Sequence, residues 1–184
     1  MKVVGKDTDC TYIKLENVLD LDKFVVPMGD SSKGGGFYFF RGLGIKDYKS
    51  TFKAWLRQFP RPIFIIAAKG NTMVSWVYID VWSDRALDGE PVYVLRAIET
   101  LPSLRGRKVG FKVTLYALKE VVGYTIVKPL TREAARFFKK MGFMEPEEFR
   151  KCPIDLTQHH GYLILPPYRR EMLLNSYRHV ISGY

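Results

Sequence analysis

The stretch "LPSLRGRKVGFK", residues 101–112, decides the fold. It contains four cations and two glycines, and it joins an extended run, which Pro102 ends, to a helical pattern that begins at Val109. When a helix follows a tight turn, its first backbone amides have no partner inside the helix and lie at the positive end of the helix dipole. Such amides suit phosphate oxygens, and glycine lets a ligand approach the backbone closely. The stretch therefore predicts a strand, a phosphate-binding turn and a helix, in that order.

The segments on both sides of this turn predict a sheet with helices between its strands. Before the turn, "PIFIIAAKG" and "TMVSWVYIDVW" are rich in branched and aromatic residues and favour an antiparallel hairpin, and residues 92–101 favour a third strand. After the turn come a helix that ends at Gly123 and the strand "YTIVKPL". A second helix, "TREAARFFKKMGF", has Thr131 as its N-cap and Gly142 at its end.

The two ends of the chain add shorter elements. "TYIKLENVLDLDKF" predicts a short strand and the start of a helix, and "GDSSKGGG" predicts a loop. Residues 46–59 predict an amphipathic helix, because its large apolar side chains recur at helical spacing: Tyr48, Phe52, Trp55 and Phe59. "GYLILPP" predicts a last strand and "RREMLLNSY" a short helix. The whole pattern predicts an α/β fold with helices on both faces of a mixed sheet.

Length and composition indicate one globular domain over residues 1–184, since 47% of the residues are hydrophobic. The longest purely apolar run, residues 63–68, is too short to cross a bilayer. Cys10 and Cys152 stand apart from any metal-ligand spacing, so we expect no metal site and reduced thiols, with a disulfide as the alternative that the sequence leaves open. The start of the sequence lacks the apolar core of a signal peptide, so we expect a cytoplasmic protein without membrane contact.

Positive charge is concentrated in one part of the chain. The net charge is +10, and residues 101–140 hold ten basic and two acidic residues, which is +8. Such a field attracts a polyanion, and the alternative is a solvated basic face that binds no ligand. Nucleic acid is one such partner, but the sequence contains no helix-turn-helix spacing, zinc pattern or aromatic RNA-binding motif in its favour.

Two separated motifs resemble those of the GNAT-type acetyltransferases. Thr100-Leu101-Pro102 followed by Arg105-Gly106-Arg107-Lys108-Val109-Gly110 is similar to that family's V-x-P-x-x-R/Q-G-x-G-x-G/A pyrophosphate loop. The family's N-x-x-A-x-x-F-Y-x-K-x-G-F helix resembles a second set, Thr131, Ala134, Phe137, Phe138, Lys140, Gly142 and Phe143. The resemblance covers residues 62–143, and beyond them only the order of elements agrees.

The resemblance implies a GNAT-like sheet, mixed but mostly antiparallel, of about six to seven strands that splay apart at the cofactor site. It implies acetyl-CoA or another acyl-CoA as co-substrate and direct attack by an amine acceptor on the thioester carbonyl. The thioester arm would lie along the third strand, with a backbone N–H near Ile98 polarising the carbonyl. The implied cofactor-binding residues are Ile98, Glu99, Thr100, Arg105, Gly106, Arg107, Lys108, Val109, Gly110, Phe111, Thr131, Phe137 and Phe138.

Three positions depart from the family pattern. Lys108 replaces the middle glycine of the loop, so its side chain either crowds the pyrophosphate or binds it. Thr131 replaces an asparagine and keeps the cap. Phe138 stands where a tyrosine commonly protonates the leaving thiolate, and phenylalanine has no proton to give. Another group or solvent then supplies the proton, or the protein is a catalytically silent module that binds CoA or another polyanion.

Glu99 is the candidate general base, acting directly or through a water. The alternative for this carboxylate is an ion pair with Arg96 or Arg105. The other titratable groups are interpreted as structural. His159 and His160 are predicted to lie in a surface turn, and Asp80 is predicted to point outward. Tyr93 and Tyr124 are predicted to be core residues with an exposed hydroxyl. No motif identifies the amine acceptor, and the sequence leaves a homodimer open.

Overall fold

The computed structural model describes residues 1–182 as a seven-stranded sheet whose strands lie in chain order. The strands are β1 (Lys2–Lys6), β2 (Thr11–Lys14), β3 (Ile63–Lys69), β4 (Thr72–Val81), β5 (Val92–Thr100), β6 (Tyr124–Val127) and β7 (Leu163–Leu165). The helices are α1 (Val18–Asp22), α2 (Tyr48–Leu56), α3 (Val109–Lys119), α4 (Arg132–Lys140), α5 (Pro167–Ser176) and α6 (Arg178–Ile181). Every neighbouring pair is antiparallel except β5–β6, which is parallel, so the predicted fold class is confirmed.

Helices cover both faces at the centre of the sheet. On one face α2 packs aromatic side chains against β4: the ring centres of Phe52 and Trp76 lie 4.8 Å apart, and Trp55 stacks on Tyr78 at 4.2 Å. On the other face α3 packs against β3, β4 and β5. With both faces covered, all of β3 except Lys69 is buried, which explains its nearly continuous apolar sequence.

The sheet opens between β5 and β6. These strands pair over only four positions, from Val92 with Tyr124 to Leu95 with Val127. There β6 ends, while β5 continues to Thr100. The pairing of β4 with β5 also shifts by one residue at this point and leaves Arg96 as the extra residue of a β-bulge. A bulge bends its strand and increases the local twist, so the C-terminal half of β5 diverges and the splay implied by the resemblance is present.

The prediction for α2 was too long. The Asp47 side chain accepts hydrogen bonds from the amides of Lys49 and Ser50, so the helix begins at Tyr48. It ends at Leu56, and Phe59 is 97% exposed rather than part of the apolar face. The helical spacing of Phe59 is therefore accidental, because Pro60 disfavours helical geometry at the residue before it.

Two of these strands and α-helices were not predicted. The strand β1 pairs with β2 at the edge of the sheet, and most of its residues are exposed, so it lacks the apolar alternation of a half-buried strand. The four-residue helix α6 is too short to produce a periodic pattern. None of the helices between residues 1 and 182 is long and apolar enough to cross a membrane.

Candidate active site

The gap between β5 and β6 forms a cavity of about 540 Å³. Its wall contains eight of the predicted cofactor-binding residues, namely Ile98, Glu99, Thr100, Arg105, Gly110, Thr131, Phe137 and Phe138. The remaining five belong to the neighbouring loop and the start of α3 without lining that wall: Gly106, Arg107, Lys108, Val109 and Phe111. The structure therefore brings the two sequence motifs together around one cavity.

The loop before α3 is shaped by two residues in the left-handed region of backbone space. Gly106 has φ 79°, which glycine adopts without steric cost. Lys108, the residue before α3, has φ 61° and is the one non-glycine residue among positions 1–182 with a positive φ. The family's middle glycine thus matches a backbone conformation that glycine favours, and Lys108 adopts it at a steric cost.

Backbone amides at the start of α3 have no acceptor in the part of the chain that the structure describes. Within α3, the first backbone amide that donates a hydrogen bond is that of Lys112, which donates to the Lys108 carbonyl at 2.9 Å. The amides of Arg105 and Arg107 also donate within the turn. Five others have no acceptor among residues 1–182: those of Gly106, Lys108, Val109, Gly110 and Phe111. These N–H groups lie at the positive end of α3, where an anionic ligand is stabilised.

Gly110 lets α3 approach the end of β5. A Cβ atom at this position would lie 2.8 Å from the Thr100 hydroxyl oxygen. That hydroxyl is fixed by a 2.8 Å hydrogen bond with the Ser75 hydroxyl, which is fully buried. The glycine is therefore required for the close contact between helix and strand, as well as leaving its own amide accessible.

The backbone of β5 presents Ile98 to the gap. The Leu101 amide donates to the Val74 carbonyl on the β4 side at 2.9 Å. Backbone groups alternate in direction along a strand, so Glu99 faces β4 as well, and the Ile98 N–H and C=O point towards the side where β6 has ended. This geometry matches the expected position of the N–H that would polarise a thioester carbonyl.

Glu99 lines the cavity, but both of its carboxylate oxygens already accept hydrogen bonds. Oε1 accepts from the amides of Tyr38 and Phe39, each at 2.9 Å, and Oε2 accepts from the Tyr48 hydroxyl at 2.7 Å. Burial raises the pKa of the Tyr48 phenol most. The hydrogen bond to Glu99 and the negative charge of that carboxylate raise it further, so this phenol stays a donor. Within residues 1–182 Glu99 makes no ion pair, so the alternative of pairing with Arg96 or Arg105 is wrong. Its role as general base stays a prediction.

Tyr38 is a site residue that the sequence analysis missed. The loop before it closes where Gly36 packs against the Met28 backbone; a Cβ on Gly36 would lie 2.2 Å from the Met28 carbonyl carbon. Phe37 is then fully buried, and Tyr38 reaches the cavity wall. Tyr38 carries the only phenol among the described lining residues, whereas Phe138 is 2% exposed and has no hydroxyl. The available signal was the aromatic run "FYFF" directly after the glycine-rich loop.

The remaining candidates lie away from the cavity wall. Phe111 packs its ring against Tyr177 at 4.8 Å, so only its amide faces the loop. His159 and His160 are exposed in a turn, as predicted. The Tyr124 hydroxyl donates to Asp88 at 2.8 Å from a largely buried ring. The described residues contain no group of three or more potential metal ligands.

Comparison with known proteins identifies the family. The model of the "Acetyltransferase (GNAT) family" matches residues 37–143, more than half of the chain. The chain belongs to the GNAT acetyltransferase family. The resemblance inferred from the two motifs is therefore confirmed, and so is the prediction of an acetyltransferase. A search of curated protein sequences finds no significant match.

Solved structures of other proteins share this GNAT fold at low sequence identity. The KacTA–DNA complex has a TM-score of 0.63 at 12% identity, covering 91% of this chain and 99% of the other. AtaTR bound with acetyl-CoA has a TM-score of 0.57 at 17% identity, with coverage of 91% and 99%. AtaT complexed with acetyl-methionyl-tRNAfMet has a TM-score of 0.57 at 16% identity, with coverage of 90% and 99%. These similarities show that this GNAT protein shares its fold with those structures.

Proposed function

We propose that this acetyltransferase moves the acetyl group of acetyl-CoA to an amine by direct attack. The observation that carries the proposal is the set of unused amides at the start of α3, beside the gap between β5 and β6. A diphosphate binds at such amides, while the gap leaves room for an extended thioester arm along β5. The AtaTR structure with acetyl-CoA supports the choice of ligand for this fold.

In this reaction the amine nitrogen bonds to the carbonyl carbon and the carbon–sulfur bond breaks. The amine loses one proton and the leaving thiolate gains one. In this proposal the Ile98 N–H donates to the carbonyl oxygen as it becomes negative, which is where preorganised donors lower a barrier most. Holding the amine and the thioester in contact supplies a further part of the rate enhancement.

Tyr38 is our candidate for the group that protonates the thiolate in place of the missing tyrosine at position 138. Its hydroxyl accepts a hydrogen bond from Arg105, and a guanidinium can only donate. The phenolic hydrogen is therefore not used in this contact and can point into the cavity. Phe138 keeps its packing role, since its ring lies 5.3 Å from that of Phe143 in the main core.

Ligand-induced stabilisation tests the proposal directly. Acetyl-CoA at a hundredfold excess over its dissociation constant should raise the free energy of unfolding by about 2.7 kcal/mol. Gly110→Glu should abolish this shift, because its side chain forces α3 away from Thr100 and places bulk and negative charge beside the free amides. Gly35→Glu is the matched control, since Gly35 is exposed with open space around it.

The two possible failures have different meanings. If the wild-type protein shows no stabilisation by acetyl-CoA, the proposed function is wrong. If acetyl-CoA binds but no amine in a broad panel is acetylated, the alternative of a silent CoA-binding module replaces it.

A further inference from the structure

Two cations stand side by side where β5 and β6 separate. Leu95 and Val127 are the last paired residues of the two strands. Arg96, the bulge residue of β5, and Lys128, the first residue after β6, follow them directly in sequence. Both are exposed, and both line the cavity. Two like charges that line one cavity repel one another.

The bulge in β5 turns Arg96 outward, and Trp82 supports it there. Its guanidinium carbon lies 5.6 Å from the centre of the Trp82 ring, within the range of a cation–π contact. The Trp82 ring in turn meets His159 edge-on at 4.9 Å. Arg96 is thus held beside the cavity by an aromatic face, which leaves its N–H groups available to a ligand.

Neither cation is neutralised by a carboxylate of the described residues. Across residues 1–182, no carboxylate oxygen lies within the 4.0 Å of an ion pair from Arg96 or Lys128. Two adjacent unpaired cations that share a cavity indicate a site for an anionic group.

The phosphates of acetyl-CoA do not account for this site. Arg96 lies four residues before Thr100, where β5 ends and the loop with the free amides follows. At the rise of an extended strand this separation is about 13 Å. The anion at Arg96 therefore belongs to the reacting end of the cavity.

We infer that Arg96 and Lys128 bind a carboxylate or phosphate carried by the acceptor, so that the acceptors are small amines with a negatively charged group. The inference rests on the proposed function and specifies its substrate class. The guanidinium fork matches either oxyanion with two parallel hydrogen bonds. A polyamine or a lysine-rich protein segment is repelled by the same pair.

Matched amines that differ only in this charge test the inference. We would measure kcat/KM for acetylation of phosphoethanolamine against ethanolamine, and of β-alanine against β-alaninamide. The anionic member of each pair should be preferred about 10- to 100-fold, the range of one charge-assisted hydrogen bond. Arg96→Gln should reduce that preference through a higher KM for the anionic amine. Lys128→Gln serves as the second variant if Arg96→Gln fails to fold.

Controls separate this inference from the proposed function. Arg61→Gln removes the same charge at an exposed position away from the cavity and should keep the preference. Equal rates within both pairs, or a preference that both cavity variants retain, would overturn the inference while acetyl transfer stands. The inference would also be overturned if the protein bound acetyl-CoA but acetylated none of the four amines. A parallel assay with succinyl-CoA tests whether the two cations instead bind an anion on the acyl group. Succinyl transfer that is faster than acetyl transfer and depends on Arg96, with no discrimination between the amines, would also overturn the inference. Failure to bind acetyl-CoA at all would instead contradict the proposed function.

Discussion

Arg105 donates a hydrogen bond from Nη2 to the Tyr38 hydroxyl over 3.1 Å, and its guanidinium carbon lies 5.4 Å from the centre of the Tyr38 ring. The contact joins the loop before α3 to the segment that follows the glycine-rich loop, and both residues line the cavity. A bound diphosphate would compete with Tyr38 for the same guanidinium. Under the proposed function, the pair would link cofactor binding to the position of Tyr38.

Changing the two partners separately should give opposite effects on acetyl-CoA affinity. Arg105→Gln should weaken binding by about fivefold, or about 1 kcal/mol, because an exposed charge contributes little more than this. Tyr38→Phe should leave the affinity equal or slightly higher, since it removes only the competing hydrogen bond, and it should lower kcat if Tyr38 protonates the thiolate. Isothermal titration at two salt concentrations and steady-state kinetics measure these effects. An equal loss of acetyl-CoA affinity in both variants would contradict the expectation that Tyr38 and the diphosphate compete for the Arg105 guanidinium.

Replacing Lys108 with glycine should stabilise the protein. The left-handed backbone at φ 61° costs a side-chain-bearing residue about 1–2 kcal/mol, part of which glycine loses again through the greater entropy of the unfolded chain. We expect the free energy of unfolding to rise by about 0.5–1 kcal/mol in denaturant titration. Lys119→Gly, in the last turn of α3, is the control and should destabilise by about 1 kcal/mol. A loss of stability in Lys108→Gly would mean that the lysine makes a compensating contact.

The same variant decides what Lys108 does to the cofactor. Because its side chain is exposed and its own amide is free, the ammonium has room to turn towards a phosphate. We expect weaker acetyl-CoA binding in Lys108→Gly, by a few-fold, despite the gain in stability. Tighter binding would show that the lysine obstructs the pyrophosphate.

Glu99→Gln tests whether Glu99 acts as a base or holds the segment at residues 38–40 in place. The contacts support the holding role, so the variant should destabilise the fold by about 1–3 kcal/mol and lower kcat. Tyr48→Phe breaks one of the same contacts without touching the carboxylate and should reproduce part of both losses. The pH profile of kcat/KM distinguishes the roles. We expect its acidic limb to persist in Glu99→Gln, and a limb that disappears would establish Glu99 as the general base.

Much of the fold follows from the sequence because each central element carries its own local signal. The buried strand β3 is a continuous apolar run, and the Thr131 cap of α4 accepts from the Ala134 amide as its sequence pattern predicts. The splay was implied only by resemblance to a family. Its physical origin, a bulge at Arg96 and the early end of β6, depends on strand register, which no local pattern specifies.

The site was predictable where residues are close in sequence and not where distant segments meet. The loop at residues 105–110 carries its glycines and cations together. Tyr38 reaches the cavity because the glycine-rich loop folds back on Met28. In addition, Glu99 accepts a hydrogen bond from the Tyr38 amide, which is 61 residues away in sequence. Such a contact produces no periodic or compositional pattern in the sequence. The position of the Tyr38 phenol and the hydrogen bonds to the Glu99 carboxylate are therefore visible only in the structure.

Acid should weaken the attachment of α3 to the edge of the sheet through Asp7, which lies in the turn between β1 and β2. Burial raises the pKa of the Asp7 carboxyl, but hydrogen bonds from the Lys112 ammonium at 2.5 Å, the amides of Cys10 and Asp9, and the Tyr12 hydroxyl outweigh it and lower the pKa to about 2. The unfolded chain therefore takes up the proton more readily than the folded one. The stability from Asp7 is complete above the unfolded value near pH 4 and is lost as the pH falls towards 2.

Asp7→Asn should therefore lower the free energy of unfolding at pH 7 and flatten its decline between about pH 4 and 2. Partial exposure of the pair limits the loss at pH 7 to about 1 kcal/mol. Urea titrations at several pH values measure both effects, and Asp9→Asn is the control, since its exposed carboxylate lies 3.9 Å from Lys69 and should contribute little. Equal acid dependence in Asp7→Asn and the wild-type protein would show that other carboxylates govern acid unfolding. Because Lys112 belongs to the first turn of α3, loss of the pair should also loosen the amides that we assign to the diphosphate, and acetyl-CoA affinity should fall in Asp7→Asn but not in Asp9→Asn.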